Sequence, residues 1–499
     1  MAGDHHVGNF CICSWHRFHN ISAQRQAGQY EFSNWIYKSD LKKASVVAVP
    51  ATSAQAAAVG TFPPPTTTQP VRPDESEGMI APDVIAIPWP SSTATPTPSP
   101  SAQSKQIFPI RWPARCGKKY NVKTEEYDFG SAKDISIKEL ISQFDGPYKR
   151  IQGWVHVTKA PTDQAAGTVQ ARMSYAVSPS IDVDSVKYTS TSNSLTIGGS
   201  SAQSAALGSL PVGSACLGMS IVLYMASGAT LENFNVDSTH LGMQIHRGVD
   251  FSVTNTSSIS LTSGTLDASM LKSQQTYLKT TSGSISGKYT LSDLLAIDTK
   301  TGSVNVNVQP QAAAAGGSSS AVFRANTQSG SMRIDFDRKR IPDRDYQVYL
   351  NSTVGSVDGV FIHGSQTTID SVAGSVTADI LPYKSGAFVS KLDTSTHSGQ
   401  MNVTLRAPYK AKGESMTGLM SMHRTVSGGL GLKYPKEWQG HIDGTSLSGE
   451  LHLQGKDLEL IKQNDTPGKN HIEAKKGSEG SRMVFSTVSG GCDIKIGKM

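Results

Sequence analysis

Apolar and polar positions alternate in short runs along most of the chain, and in its second half the alternation holds a fixed register to a glycine. In "TVGSVDGVFIHGSQTTIDSVAGSVTADI", residues 353–380, the phrase Gly-Ser-Val returns after 19 residues, from Gly355 to Gly374. The same register fits nine repeats, anchored on Gly283, Gly302, Gly330, Gly355, Gly374, Gly399, Gly428, Gly449 and Gly490. Three residues earlier stands a hydroxyl side chain in every repeat: Thr280, Thr299, Thr327, Ser352, Ser371, Thr396, Thr425, Ser446 and Thr487. Two residues later the position is apolar: Ile285, Val304, Met332, Val357, Val376, Met401, Leu430, Leu451 and Cys492. Ahead of the glycine the apolar residues sit at odd offsets, five before in Leu278, Ile297, Leu350 and Ile369, and seven before in Leu295, Phe323, Val348, Leu392, Ile442 and Met483. Looser repeats centre on Gly242 and Gly264.

A period of two on each side of the glycine predicts two strands, each with one buried face. Crossing the glycine moves the inward set by one residue, which a continuous strand cannot do without turning its core side to solvent. A corner at Ser/Thr-x-x-Gly resolves this: glycine permits a positive φ or a close approach, and the hydroxyls bond backbone groups freed by the bend. Strand, corner, strand and variable return, repeating mostly every 19 to 29 residues, predict an all-β, β-helix-like β-solenoid in which stacked repeats bury a shared core. The stretches 307–321 and 454–482 fall between repeats and read as loops.

Upstream, "IQGWVHVTKAP", "GTVQARMSYAV" and "IDVDSVKYTS" alternate at short spacing, so the sequence predicts a small β region over 108–214 ahead of a repeat domain over 215–499. The run "ACLGMSIVLYMASGA", 215–229, is too short for a membrane span and reads as a buried strand. Residues 61–107 are dominated by Pro, Thr and Ser and form a linker or stalk; residues 1–60 form a disordered tail. Within that tail "LKKASVVAVPATSAQAAAVG", 41–60, has the three parts of a secretory signal in order, at an internal position.

With "LKTTSGSISG", "ANTQSGSMRIDF" and "FSTVSGGCDIKI", the repeats resemble the putative adhesin domain, a family of unknown function found in bacterial and fungal surface-associated proteins. The resemblance covers roughly residues 215–499, and "SGATLENFNVDSTHLGMQI", 227–245, is similar to the family's opening segment. It implies a β-strand repeat domain and a surface location. A stalk followed by a small β region is similar to the fungal layout, whose members often carry a membrane segment ahead of the stalk; this chain shows no such apolar run. The family supplies no catalytic residues to carry over.

Composition narrows the function. Charged residues make up 17% of the chain, below the usual share of about 25%. A balance of 46 basic against 40 acidic side chains, without an aromatic and basic surface pattern, gives no reason to expect nucleic acid as partner. Cys11, Cys13, Cys116, Cys216 and Cys492 are too few and too irregular for a disulfide framework or a zinc site, although Cys11 and Cys13 lie beside His16 and His19. Sequons at Asn20, Asn255, Asn351, Asn402 and Asn464 permit a secretory route. The densest acidic segment, "RIDFDRKRIPDRDY", carries Asp335, Asp337, Asp343 and Asp345, but interleaved bases are expected to pair and solvate these carboxylates in a loop. His397 and His423 read as corner positions. No catalytic, cofactor or metal residue is assigned. The sequence therefore predicts a non-enzymatic surface or cell-wall-associated protein, extracellular or on the cell surface, with glycans or surface proteins as partners and no clear membrane helix of its own. The alternatives are a polysaccharide-active lyase or hydrolase on a β-helix, and an intracellular scaffold.

Overall fold

A computed structural model describes residues 105–497, apart from 142–146, 199–214, 315–319, 411, 467–468 and 478–479. The tail, most of the stalk, the signal-like stretch and the Cys11, Cys13, His16, His19 group lie outside the described residues. Among the described residues the chain is all-β, with a single three-residue helical turn at Val183–Ser185. No helix there is long and apolar enough to cross a membrane. The strands form two long sheets of 15 and 16 strands, here sheet I and sheet II.

From Leu241 to Tyr434 the chain passes alternately between the sheets, and each strand pairs in parallel with the one a repeat away. Parallel neighbours need a connection that leaves the sheet, and here the strand in the opposite sheet supplies it. The apolar position two after each glycine forms one buried row in sheet I: Leu266, Ile285, Val304, Met332, Val357, Val376, Met401 and Leu430. The position five before it forms the facing row in sheet II, including Leu278, Ile297, Ala325, Leu350 and Ile369. Both sets meet in one continuous hydrophobic core.

The expected corner lies between the two strands of each repeat, and its glycines stack. Gly399 has φ +139°, and a Cβ there would lie 2.4 Å from the carbonyl oxygen of Gly374, one repeat below. Its N–H donates to the Ser427 carbonyl at 3.0 Å, so the ladder of backbone bonds continues around the bend. The hydroxyls serve the same turn: Thr280, Thr299, Ser352, Ser371 and Thr425 are buried and donate to the carbonyl three residues on, at 2.6 to 3.4 Å.

Several expectations are corrected. Residues 454–482 are not a loop. They contain strands Leu458–Thr466 and Lys469–Lys476, which pair antiparallel and continue sheet II beyond Gly440–Ser448. Nor does the stack follow chain order at this end. The last repeat, strands Ser481–Ser489 and Cys492–Ile496, inserts between Leu419–Tyr434 and Gly440–Gly455 in both sheets. Size matching fixes the slot, because a Cβ on Gly444 would lie 2.1 Å from the Phe485 ring. Strand Val304–Pro310 extends into the stretch read as a loop at 307–321, and "IDVDSVKYTS" forms a helical turn and a three-residue strand.

Near the amino-terminal end, Ala215–Met225 runs parallel to Tyr148–Lys159 and antiparallel to Val169–Val177, which in turn pairs antiparallel with Asn121–Gly130. Strand Asp134–Leu140 lies in sheet II between Ser194–Gly198 and Ala229–Ser238. There the fully buried Glu139 carboxylate accepts from Ser238 Oγ and from the backbone N–H groups of Ile141, Thr239 and His240, at 2.8 to 3.0 Å. Burial raises its pKa, but the His240 contacts and backbone bonds outweigh this and hold it below the usual carboxylate value.

Candidate functional site

Every residue of Ala215–Met225 is buried, which a strand with one solvent face would not allow. Its second face is covered by Lys105–Cys116, the segment that follows the Pro/Thr/Ser-rich stretch. This strap is held by side chains rather than by strand pairing. Tyr224 Oη donates to the Gln106 carbonyl at 2.8 Å, Ser220 Oγ to the Phe108 carbonyl at 3.2 Å, and Thr158 Oγ1 to Gln106 Oε1 at 3.0 Å. Phe108 packs on a small apolar group of Ala160, Val222, Tyr224 and Ala226, and the Arg111 guanidinium lies 4.7 Å from the Trp154 ring centre. Gly218 permits the close approach, since a Cβ there would come within 2.9 Å of the Arg111 carbonyl oxygen. The strap ends in a single disulfide between Cys116 and Cys216, a cross-link that the irregular cysteine spacing did not point to.

Under the strap, His156 Nδ1 and His246 Nε2 are hydrogen-bonded at 3.0 Å, and Phe108 stacks on both imidazoles at 4.2 and 4.4 Å. Burial, and then the neighbouring His246 and Arg111, push the His156 pKa down to about 4. Burial lowers His246 as well, against an upward pull from Asp267. At neutral pH the pair is therefore uncharged, one ring donating and the other accepting.

Beyond the strap's edge a cleft of about 840 Å³ opens on the outer side of sheet I, lined by Gln106, Gln244, His246, Arg247, Asp267 and Lys288. Its floor is irregular: the pairing of Leu266–Leu271 with Ile285–Leu291 shifts between Ala268 and Leu271, opposite Gly287 and Tyr289. Such shifts re-aim side chains. Tyr289 turns into the core and donates to the Ser286 carbonyl at 2.8 Å, while Ser286 Oγ donates to Asp267 at 2.8 Å and Gln244 to the same carboxylate at 3.4 Å. The cleft thus offers amides, two cations and one oriented carboxylate. Those groups can hold a polar ligand by hydrogen bonds; they do not form a nucleophile with an adjacent base.

The acidic segment does not assemble a site. Asp335 lies 3.7 Å from Arg333, Asp337 accepts from the Lys339 N–H at 3.0 Å, and Asp343 is exposed. Asp345 departs from the expected solvated loop. It begins a strand, and its carboxylate accepts from the Ser365 N–H and Oγ and from Ser320 and Gln347 at 2.6 to 3.2 Å. Burial raises its pKa, yet these bonds hold it below the ordinary value. His397 is exposed before its corner, as read. His423 is not a corner residue: it is buried mid-strand, bonded to the Thr394 and Tyr434 hydroxyls at 2.7 Å each. Among the described residues no group of three or more His, Cys, Asp or Glu side chains could hold a metal ion.

No family model matches the chain, and no curated protein matches it. Among solved structures, one described as a putative cell adhesion protein from Clostridium sporogenes is similar over 76% of this chain and all of that one, at 8% identity with a TM-score of 0.14. A likeness of that size carries no argument about fold or function. The site residues His156, His246 and Phe108 had no local signal, because the two histidines are 90 residues apart in sequence and meet only across neighbouring strands.

Proposed function

We propose that the chain is an adhesin-like extracellular or cell-surface protein, non-enzymatic, whose alternating strands wind as a two-sheet β-solenoid with binding surfaces on its outer faces. The observation that carries this reading is the Cys116–Cys216 disulfide, because such bonds persist in oxidising compartments and are rare where thiols are kept reduced. The repeated Ser/Thr-x-x-Gly phrase supports a scaffold role, since five of its nine hydroxyls donate to the corner carbonyl three residues on. The cleft beside the strap is the proposed contact for a polar partner, a glycan or a surface protein. Separation of the acidic residues favours this over a polysaccharide-cleaving site, which needs two carboxyl groups flanking one bond.

Full-length chain expressed in its own kind of cell should reach the wall or medium with Cys116 and Cys216 resistant to alkylation until reduced. Recovery from the cytosol with both thiols free would sink the surface assignment. On a panel of immobilised polysaccharides and surface proteins, the Arg247→Ala/Lys288→Ala double variant should lose most of any binding seen with the parent. Equal binding by both would remove the cleft from the proposal.

A further inference from the structure

Four sequon asparagines lie in described strands, and their surroundings divide them. Asn255, Asn351 and Asn464 are exposed, and all three belong to strands of sheet II. Asn402 is in sheet I and half-buried, and its amide oxygen fills the space beside Gly431, where a Cβ would lie 2.6 Å away. Asn351 is the clearest case. Its register neighbours are Asn326 and Asp370, which are tied to Asp298 at 2.8 Å and Ser395 at 2.6 Å. Asn351 has no such tie and points its amide at solvent in mid-strand. Asn255 sits where the pairing slips between Val253 and Thr256, its exposed Nδ2 donating to Asn233 Oδ1 at 3.1 Å, a surface bond that attachment would have to displace, and Asn464 is on the outermost strand of its sheet.

We propose that Asn255, Asn351 and Asn464 carry N-linked oligosaccharides, which gather on sheet II and leave the outer face of sheet I, with its cleft, open to partners. In the transfer, the asparagine amide nitrogen forms a bond to the sugar's anomeric carbon. The bond from that carbon to a lipid-linked diphosphate breaks, the lipid diphosphate leaves, and the amide gives up one proton. The proposal rests on the reading that the chain enters an oxidising secretory compartment. It goes further in naming which residues are modified and which face they cover.

The test uses full-length chain from its own kind of cell, treated with peptide N-glycosidase in ¹⁸O-water, so that each formerly glycosylated asparagine becomes a labelled aspartate. Peptide masses should show label at 255, 351 and 464. Asn255→Gln, Asn351→Gln and Asn464→Gln should each remove one glycan's worth of gel mobility shift, and the triple variant should run as the enzyme-treated parent does. Absence of label at these three positions, with Cys116–Cys216 oxidised in the same sample, overturns the proposal and leaves the secretory reading standing. Absence of label with both thiols free overturns the two together.

Discussion

Between Leu266 and Leu405 each strand has as its neighbours the strands one repeat away, whereas between Asn121 and Met225 five strands take part in antiparallel pairs, a strap crosses the sheet and a disulfide closes it. The middle holds itself by repetition: one glycine row, one hydroxyl row and two apolar rows, each needing only the next repeat. The amino-terminal end has no next repeat on one side. It substitutes individual devices, including the caged Glu139, the stacked Phe108, His156 and His246, and the Cys116–Cys216 link. Repeat arrays are stabilised by nearest-neighbour interfaces and need distinct ends. The comparison teaches that chemistry able to distinguish this chain from any other stack collects where repetition stops, and the cleft lies at that boundary.

The largest expected effect attacks the repetition. Gly399→Val adds a side chain where φ is +139° and the Gly374 carbonyl is in the way, so a loss on the order of 3–5 kcal/mol is expected in urea unfolding. Gly429→Ala, whose nearest atom is 3.7 Å away, should change stability by less than about 0.5 kcal/mol. Equal effects would mean that the glycine row is not what holds the middle.

Next comes the inserted repeat. Phe485→Ala empties a fully enclosed aromatic position and should cost about 3–5 kcal/mol. Hydrogen exchange should quicken first in Gly440–Ser448 and Leu419–Ser427, the two strands it separates. Uniform acceleration along the whole stack would show that the far end is not a separable unit.

A smaller and more local effect is expected from Cys116→Ser/Cys216→Ser. The bond spans 100 residues, and its removal should cost about 2–4 kcal/mol. Limited proteolysis should then cut within 105–116 while the middle stays protected; cleavage unchanged from the parent would show that side-chain contacts alone hold the strap.

The mildest probe is pH. Burial pushes His423 down to about 3 and His363 to about 4 in the middle, and His156 to about 4 at the end, the last with help from His246 and Arg111. Because these folded values lie below the unfolded value of about 6.5, only the unfolded chain takes up protons as pH falls below that point. Their stabilising effect is full above pH 6.5 and declines toward pH 4, by at most about 1.4 kcal/mol per pH unit for each ring. Thermal unfolding followed from pH 7 to 4.5 should show this slope. His423→Gln should flatten it in the middle and His156→Gln at the end, and an unaltered slope in either variant would remove that ring from the account.

The regular part of the fold was legible because its information is local. Alternation about Gly355 and Gly374 states both which face is buried and where the chain must turn. The order of stacking was not legible, since the repeat at Ser481–Ile496 reads like any other, and only the pairing of Phe485 with Gly444 says where it sits. Neither was the strap: "QIFPIRWPARC" has no period, and it is ordered by a surface that begins 100 residues later. The candidate cleft fell outside sequence reasoning for the same reason, with Gln106, His246 and Lys288 brought together only by the sheet.

The inserted repeat also sets a clock on biosynthesis. Strands Gly440–Ser448 and Leu451–Gly455 leave the ribosome before the strands that join them to the rest of the stack. The roughly 40 residues from Lys456 to Ile496 take some 2–8 s to synthesise at about 5–20 residues per second. Until Ser481–Ile496 have been made, Gly440–Gly455 have no strand to join them to the rest of the stack in either sheet, and a chaperone that shields unpaired strand edges would find them there.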